Sequence, residues 1–177
     1  MKRLLIGILA VVAVVAGFGV WNYFEVYGPV SKRLTQDERN RKVTIWVYRQ
    51  YGVSPSTIVF DLRNANEDAA AVDVTRMLFQ GAESLKESRF ERIVLAHRGE
   101  AKLYLEGQYF QELGKRFETE NPVYLLRTLP ENVHRLDGSK AYGTWTGGLL
   151  GVLGKQMDDL GSLAQDWFLR DMAAGKQ

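Results

Sequence analysis

Thr57-Ile-Val-Phe-Asp-Leu-Arg63 is the stretch whose reading decides the fold. Ile58, Phe60 and Leu62 alternate with Val59, Asp61 and Arg63, the period-two pattern of a strand with one apolar and one partly charged face. Asn64-Ala65-Asn66 supplies turn and N-cap residues for a helix predicted from Glu67 to about Ser88. Ala71, Val74, Leu78 and Leu85 form its apolar stripe, with Met77, Phe79 and Ala82 beside it. Ile93–Arg98 and Ala101–Glu106 flank Gly99-Glu100 as a β-hairpin. Gly107 then opens a helix with Tyr109, Phe110, Leu113 and Phe117 at helical spacing, aromatic residues that read as core. Together these elements predict an α+β domain with a β-α-β-β-α core, its first two strands joined by a right-handed crossover.

Downstream, Glu120–Ser139 sends mixed signals. Asn121-Pro122 is a good helix start, yet Val123–Leu129 reads equally well as a strand ending at Pro130. Asn132–Ser139 is turn-rich. A long C-terminal amphipathic helix is predicted from about Thr146 to Met172, with Leu149, Leu153, Met157, Leu160, Ala164, Trp167 and Phe168 along one face. Upstream, Thr35-Gln36-Asp37-Glu38 has capping-box spacing, and Gly52 and Pro55 are stop signals. They outweigh the strand-like composition of Val43–Tyr48 and predict a helix ending near Tyr51.

The run from Leu4 to Phe24 is 21 residues long, and Asn22 is its only strongly polar side chain. As a helix it reaches about 30 Å, the thickness of a bilayer's hydrocarbon core. Trp21, Tyr23 and Phe24 sit where aromatic rings favour the membrane interface. A cleavable signal peptide, cut near Val14-Val15-Ala16, is the competing reading, but the apolar run continues beyond that point. The chain thus divides into a tail (1–3), a transmembrane signal-anchor helix (4–24), a juxtamembrane connector with a helix (25–56) and the α+β domain (57–177). Lys2 and Arg3 favour an exported domain on a bacterial-type inner membrane. The basic residues at Lys32, Arg33, Arg39, Arg41 and Lys42 argue for the cytoplasmic-facing alternative.

The formal net charge of +2 comes wholly from Lys2 and Arg3, because every acidic residue lies beyond the apolar run. A neutral domain lacks the basic excess that phosphate binding requires, so no nucleic-acid partner is expected. The chain has no cysteine, which excludes disulfides, thiolate metal sites, a cysteine nucleophile and a lipidated N-terminal cysteine.

Three groups of residues invite chemistry. Asp61 and Arg63 share the strand's polar face and His97 ends the next strand, the ingredients of a general-base site for a small hydrolase or transferase. The plainer reading is a same-face ion pair, with His97 flanking a turn. Gly143–Lys155 is glycine-rich before a helix, and Thr144, Thr146, Gly147 and Gly148 are the candidates for an anionic small ligand. It departs twice from the phosphate-binding loop, with Leu149 in place of the first glycine and Gln156 in place of Ser/Thr. Close packing against Gly147, Gly148, Gly151 and Gly154 is the favoured reading. His134 and Asp137 lack the repeated spacing of a metal site and read as a surface turn, so no metal or cofactor is expected. The expectation that follows is a non-enzymatic, membrane-anchored interaction or assembly module. Its partners are the lipid bilayer through 4–24 and a protein, with Trp46, Tyr48 and Trp145 as contact candidates.

Overall fold

The computed structural model describes residues 2–66 and 69–175, Leu149 and Leu150 by their backbone only. Helix α1 (Lys2–Asn22) carries an apolar surface with no buried residue. It passes through one π-helical turn (Tyr23–Tyr27) and continues as α2 (Gly28–Thr35). The wider turn shifts the helical phase so that Val26, Val30 and Leu34 line up against the domain core. A glycine follows because the backbone is crowded there: a Cβ on Gly28 would lie 2.9 Å from the Tyr23 carbonyl oxygen.

Strand β1 (Val43–Arg49) follows, where a helix was predicted. The capping residues act locally, Asp37 closing a short 3₁₀ turn (Glu38–Lys42) by accepting the Arg39 N–H at 3.1 Å. Beyond it the β-branched and aromatic run Val43–Tyr48 prevails, because it pairs antiparallel with β2 (Thr57–Ala65). The segment expected to be a connector therefore contributes the first strand of the sheet and part of the core.

Helix α3 begins at Ala71, later than expected, and ends at Ser84, one turn before the expected Ser88; the predicted start, Glu67, lies outside the described residues, and Asn64 and Ala65 belong to β2. Strands β3 (Arg92–His97) and β4 (Glu100–Glu106) form the expected hairpin. Its turn is Arg98-Gly99, with φ of 51° and 85°, the geometry of a two-residue type I′ connection. Then come α4 (Gly107–Arg116), α5 (Pro122–Thr128), β5 (Val133–Arg135), α6 (Leu149–Ala164) and α7 (Arg170–Ala173), the last two joined by a second π turn. The ambiguous 120–139 stretch resolves as helix then strand: the Asn121 side chain caps α5, and Val133 pairs with Leu105.

The sheet order is β1-β2-β3-β4-β5, mixed, with only β2 and β3 parallel. One face carries the helices. Ile58, Phe60, Leu62, Ile93, Leu95, Leu103 and Leu105 meet the buried residues of α2 to α6 there. Packing is close enough that a Cβ on Gly81 of α3 would fall 2.1 Å from the Phe60 ring. The opposite face buries Val59, Val94 and Ala96 under other strand residues, and no helix joins that cluster among the described residues. The molecule is thus α+β, with an exposed apolar helix at one end and one sheet face uncovered.

Candidate functional site: the open sheet face

Asp61 lies on the uncovered face and is completely buried, at 0 % exposure. Three donors from three elements converge on it. Tyr48 of β1 donates its hydroxyl to Oδ2 at 3.0 Å, Arg63 donates to the same oxygen at 3.0 Å, and the Gly99 N–H of the hairpin turn donates to Oδ1 at 3.0 Å. A buried carboxylate is tolerable only when so paired. Burial, reinforced by the neighbouring Asp61 charge and the hydrogen bond to it, pushes the Tyr48 phenol up to about 12. It therefore stays protonated and keeps donating. The Arg63 guanidinium in turn stacks on Trp46 at 4.6 Å, and Trp46 is 50 % exposed. Further along the same face Arg92 stacks on Tyr104 at 4.1 Å, and Tyr104 on His134, ring centroids 5.1 Å apart.

His97 is not part of this cluster. It pairs with Leu62 in the β2–β3 ladder, whereas Asp61 pairs with Ala96, so the two side chains leave opposite faces of the sheet. His97 instead places Nδ1 3.1 Å from Asp171 of α7. Lys102 reaches the same Asp171 oxygen at 2.7 Å and Glu100 at 2.8 Å. Burial opposes the Lys102 charge, but its bonds to Asp171 and Glu100 outweigh that and raise its pKa. This ionic cluster holds the C-terminal helix on the hairpin, together with Trp167, whose indole N–H donates to the Ala96 carbonyl at 2.9 Å. Asp61 and Arg63 are brought together; Asp61, Arg63 and His97 do not converge on one cleft.

The glycine-rich segment also differs from its expected role. A Cβ on Gly147, Gly148, Gly151 or Gly154 would meet nothing within 4 Å, so this face is open rather than packed. Thr144 and Thr146 are exposed. Lys155 lies over Trp145 at 4.2 Å, and Trp145 donates to Asp159 at 2.7 Å, so both side chains are engaged within the segment. His134 is not on a surface turn but buried in β5, and burial, with the Lys140 charge, lowers its pKa. Asp137 does sit in a turn, accepting from the N–H and hydroxyl of Ser139. Among the described residues no three histidine or acidic side chains gather as a metal site.

Two arrangements escaped the sequence reading. Asn22, the one polar residue in the apolar run, accepts the Arg49 N–H at 2.7 Å, and Arg49 stacks on Trp21 at 3.6 Å. Asn40 and Gln80, both buried, bond to each other at 2.6 Å, and Asn40 also donates to the Leu34 carbonyl at 2.9 Å. Gln80 then donates to Asp37 at 2.8 Å, so this network fixes the corner between α2 and β1. Asn22 was visible as an anomaly in its run. The Asn40–Gln80 pair had no sequence signal, its members standing far apart in the chain.

No protein-family model, curated protein or solved structure matches this chain.

Proposed function

We propose that this chain is a single-pass membrane protein, anchored by 4–24, whose α+β domain is a non-enzymatic interaction or assembly module in the cell envelope. The observation that carries the reading is the continuity of the helix. Its first part exposes Leu4, Ile8, Val11 and Val15, while the same rod buries Val26, Val30 and Leu34 in the domain. Such a length of apolar helix finds no cover among the described residues and suits a bilayer. A domain held this way has a fixed height and direction above the membrane, which suits docking against a neighbour better than free diffusion to a substrate. The bond from Arg49 to Asn22 and its stacking on Trp21 stiffen the same junction. The open face, with Trp46 and Arg63 outermost, is the surface that reading assigns to a protein partner.

Lys2 and Arg3 favour a cytoplasmic tail and an exported domain on a bacterial-type inner membrane. Extraction of membranes with alkaline carbonate should leave the chain in the pellet, and a C-terminal alkaline phosphatase fusion should be active. Photo-crosslinking residues at Trp46 and Arg63 should yield defined protein adducts in intact cells. Release by carbonate together with a mature chain beginning at Gly17 defeats the anchor. An inactive phosphatase fusion alongside a fluorescent one reverses the orientation.

A further inference from the structure

β1 returns the chain to the level of the apolar helix. Asn40, just before the strand, donates its side-chain amide to the Leu34 carbonyl near the far end of α2, and Arg49, the strand's last residue, donates its N–H to Asn22, the last residue of α1. The strand therefore runs back along α2, and the loop after it emerges beside Trp21, where the apolar run ends. There the 3₁₀ turn Gln50–Gly52 touches α1. Arg49 holds helix and loop together. Its guanidinium lies over the Trp21 ring at 3.6 Å and donates to the carbonyls of Ser54 at 3.2 Å and Pro55 at 2.8 Å.

Residues 50–57 include no charged side chain, in a chain where 25 % of residues are charged. Tyr51 is 87 % exposed and Val53 45 %. Tyr51 also has a φ of 56°, in the left-handed region that residues with a Cβ seldom occupy, and Gly52 follows at 75°. A bulky aromatic side chain held there in the open serves no packing inside the domain. At the opposite end of the sheet the connections 37–42 and 98–100 are charged. The other connection at the near end, 85–91, carries Lys86, Glu87, Arg89 and Glu91, which limits an apolar contact to the tip of the β1–β2 loop.

We propose that the β1–β2 loop is a second membrane contact, with Tyr51 and Val53 set at the boundary between phospholipid headgroups and acyl chains on the side where α1 leaves the bilayer. The proposal rests on the reading of 4–24 as a membrane anchor and adds a second foothold to it. Tyrosine suits that depth, because its ring is apolar and its hydroxyl reaches water. A single helix leaves its own tilt unset, and interfacial anchors set it. With Tyr51 held at the surface, α1 leans toward the β1–β2 loop, and the domain leans with it because the rod continues into the core through Val26, Val30 and Leu34. A protein partner also covers exposed tyrosines. The bilayer is favoured because the loop stands level with Trp21, beside lipid whenever α1 is inserted.

The test uses the full chain, isotope-labelled, in phosphatidylcholine nanodiscs that carry a lipid with a nitroxide near the top of its acyl chain. The nitroxide should broaden the amide signals of Tyr51, Gly52 and Val53 about as strongly as that of Phe24, and at least about twice as strongly as that of Arg89 at the same end of the sheet. Tyr51→Asn combined with Val53→Ser should cut the broadening at 51–53 about twofold or more without lowering the melting temperature, since asparagine tolerates the left-handed conformation. Replacing part of the lipid with phosphatidylglycerol should change little, because the loop is uncharged. Broadening at Tyr51 no greater than at Arg89, with Val20 still broadened, overturns the proposal and leaves the anchor standing. An unbroadened Val20 overturns the anchor and the proposal with it. Broadening at 51–53 that needs phosphatidylglycerol also overturns the proposal, because it assigns the attraction to basic residues elsewhere. In intact membranes, benzoylphenylalanine in place of Tyr51 should be recovered with phospholipid attached. Protein adducts alone give the loop to a partner and overturn the lipid contact.

Discussion

Replacing Asp61 with alanine tests most directly how the open face is held. The carboxylate is fully buried and receives three hydrogen bonds, one each from Tyr48, Arg63 and Gly99. Its removal leaves a phenol, a guanidinium and a backbone N–H without their acceptor. Breaking a buried, hydrogen-bonded charge pair costs about 3–5 kcal/mol. The Arg63 side chain is 34 % exposed and can turn to water, which places the expected loss near the lower end. For a domain of this size about 3 kcal/mol corresponds to a fall in Tm of roughly 6–12 °C. Asp61→Asn preserves an acceptor for Gly99 and should cost about half as much. The measurement is thermal and urea unfolding of the full chain in detergent, followed by circular dichroism, with Arg63→Ala and the double variant completing a cycle. A coupling of about 1–2 kcal/mol between Asp61 and Arg63 is expected. An Asp61→Ala protein within about 0.5 kcal/mol of the wild type would refute the idea that this carboxylate clamps β1, β2 and the hairpin turn.

Three further outcomes follow from the same geometry. A Cβ on Gly114 would lie 2.2 Å from the Ala82 carbonyl oxygen, whereas one on Gly154 would meet nothing. Gly114→Ala should therefore destabilise by more than about 2 kcal/mol and Gly154→Ala stabilise by about 0.5–1 kcal/mol; a loss at Gly154 would reveal hidden packing on α6. Burial, with Lys140, lowers the His134 pKa below 6.5, so the unfolded chain takes up its proton first as pH falls. Stability from this residue is complete above pH 6.5 and declines as the pH drops toward the lowered value; unfolding free energies from pH 8 to 5 should lose part of that slope in His134→Gln. The Tyr48 phenol, raised from 10.0 to about 12, favours the fold below pH 10.0 and loses that contribution as pH rises through 12. Tyr109 and Tyr142 are raised further still by burial, so in an ultraviolet titration Tyr48→Phe should remove one phenolate's share of the absorbance near pH 12 and leave the later phase of those two, and an unchanged amplitude near pH 12 would contradict the bond to Asp61.

Local pattern and long-range contact divided the labour unevenly. The alternation of Thr57–Arg63, the helical stripe after it and the hairpin were each legible, because their periodicity records which side of the element faces a core. The β-α-β-β-α order came through intact. Val43–Arg49 was misread because capping signals describe only the turn they sit in, while the strand is chosen by pairing with Thr57–Ala65. Of the candidate site residues, Asp61 and Arg63 were placed together correctly by being two apart in one strand. His97 was joined to them by its position near a strand end. The register that sends it to the other face is a property of the β2–β3 pairing and not of either strand.

By itself, then, the sequence determined an exposed apolar helix followed by a neutral α+β domain. Composition, run length and periodicity are all sums over neighbouring residues. The tertiary structure decided that the apolar helix continues into the core through Val26, Val30 and Leu34, and that Asn22 answers Arg49. It also decided that β1 is the outermost strand of the sheet and that the glycines of α6 face open space. Each of these depends on what lies opposite a residue, and partners such as Asn40 and Gln80 meet only when the chain has folded.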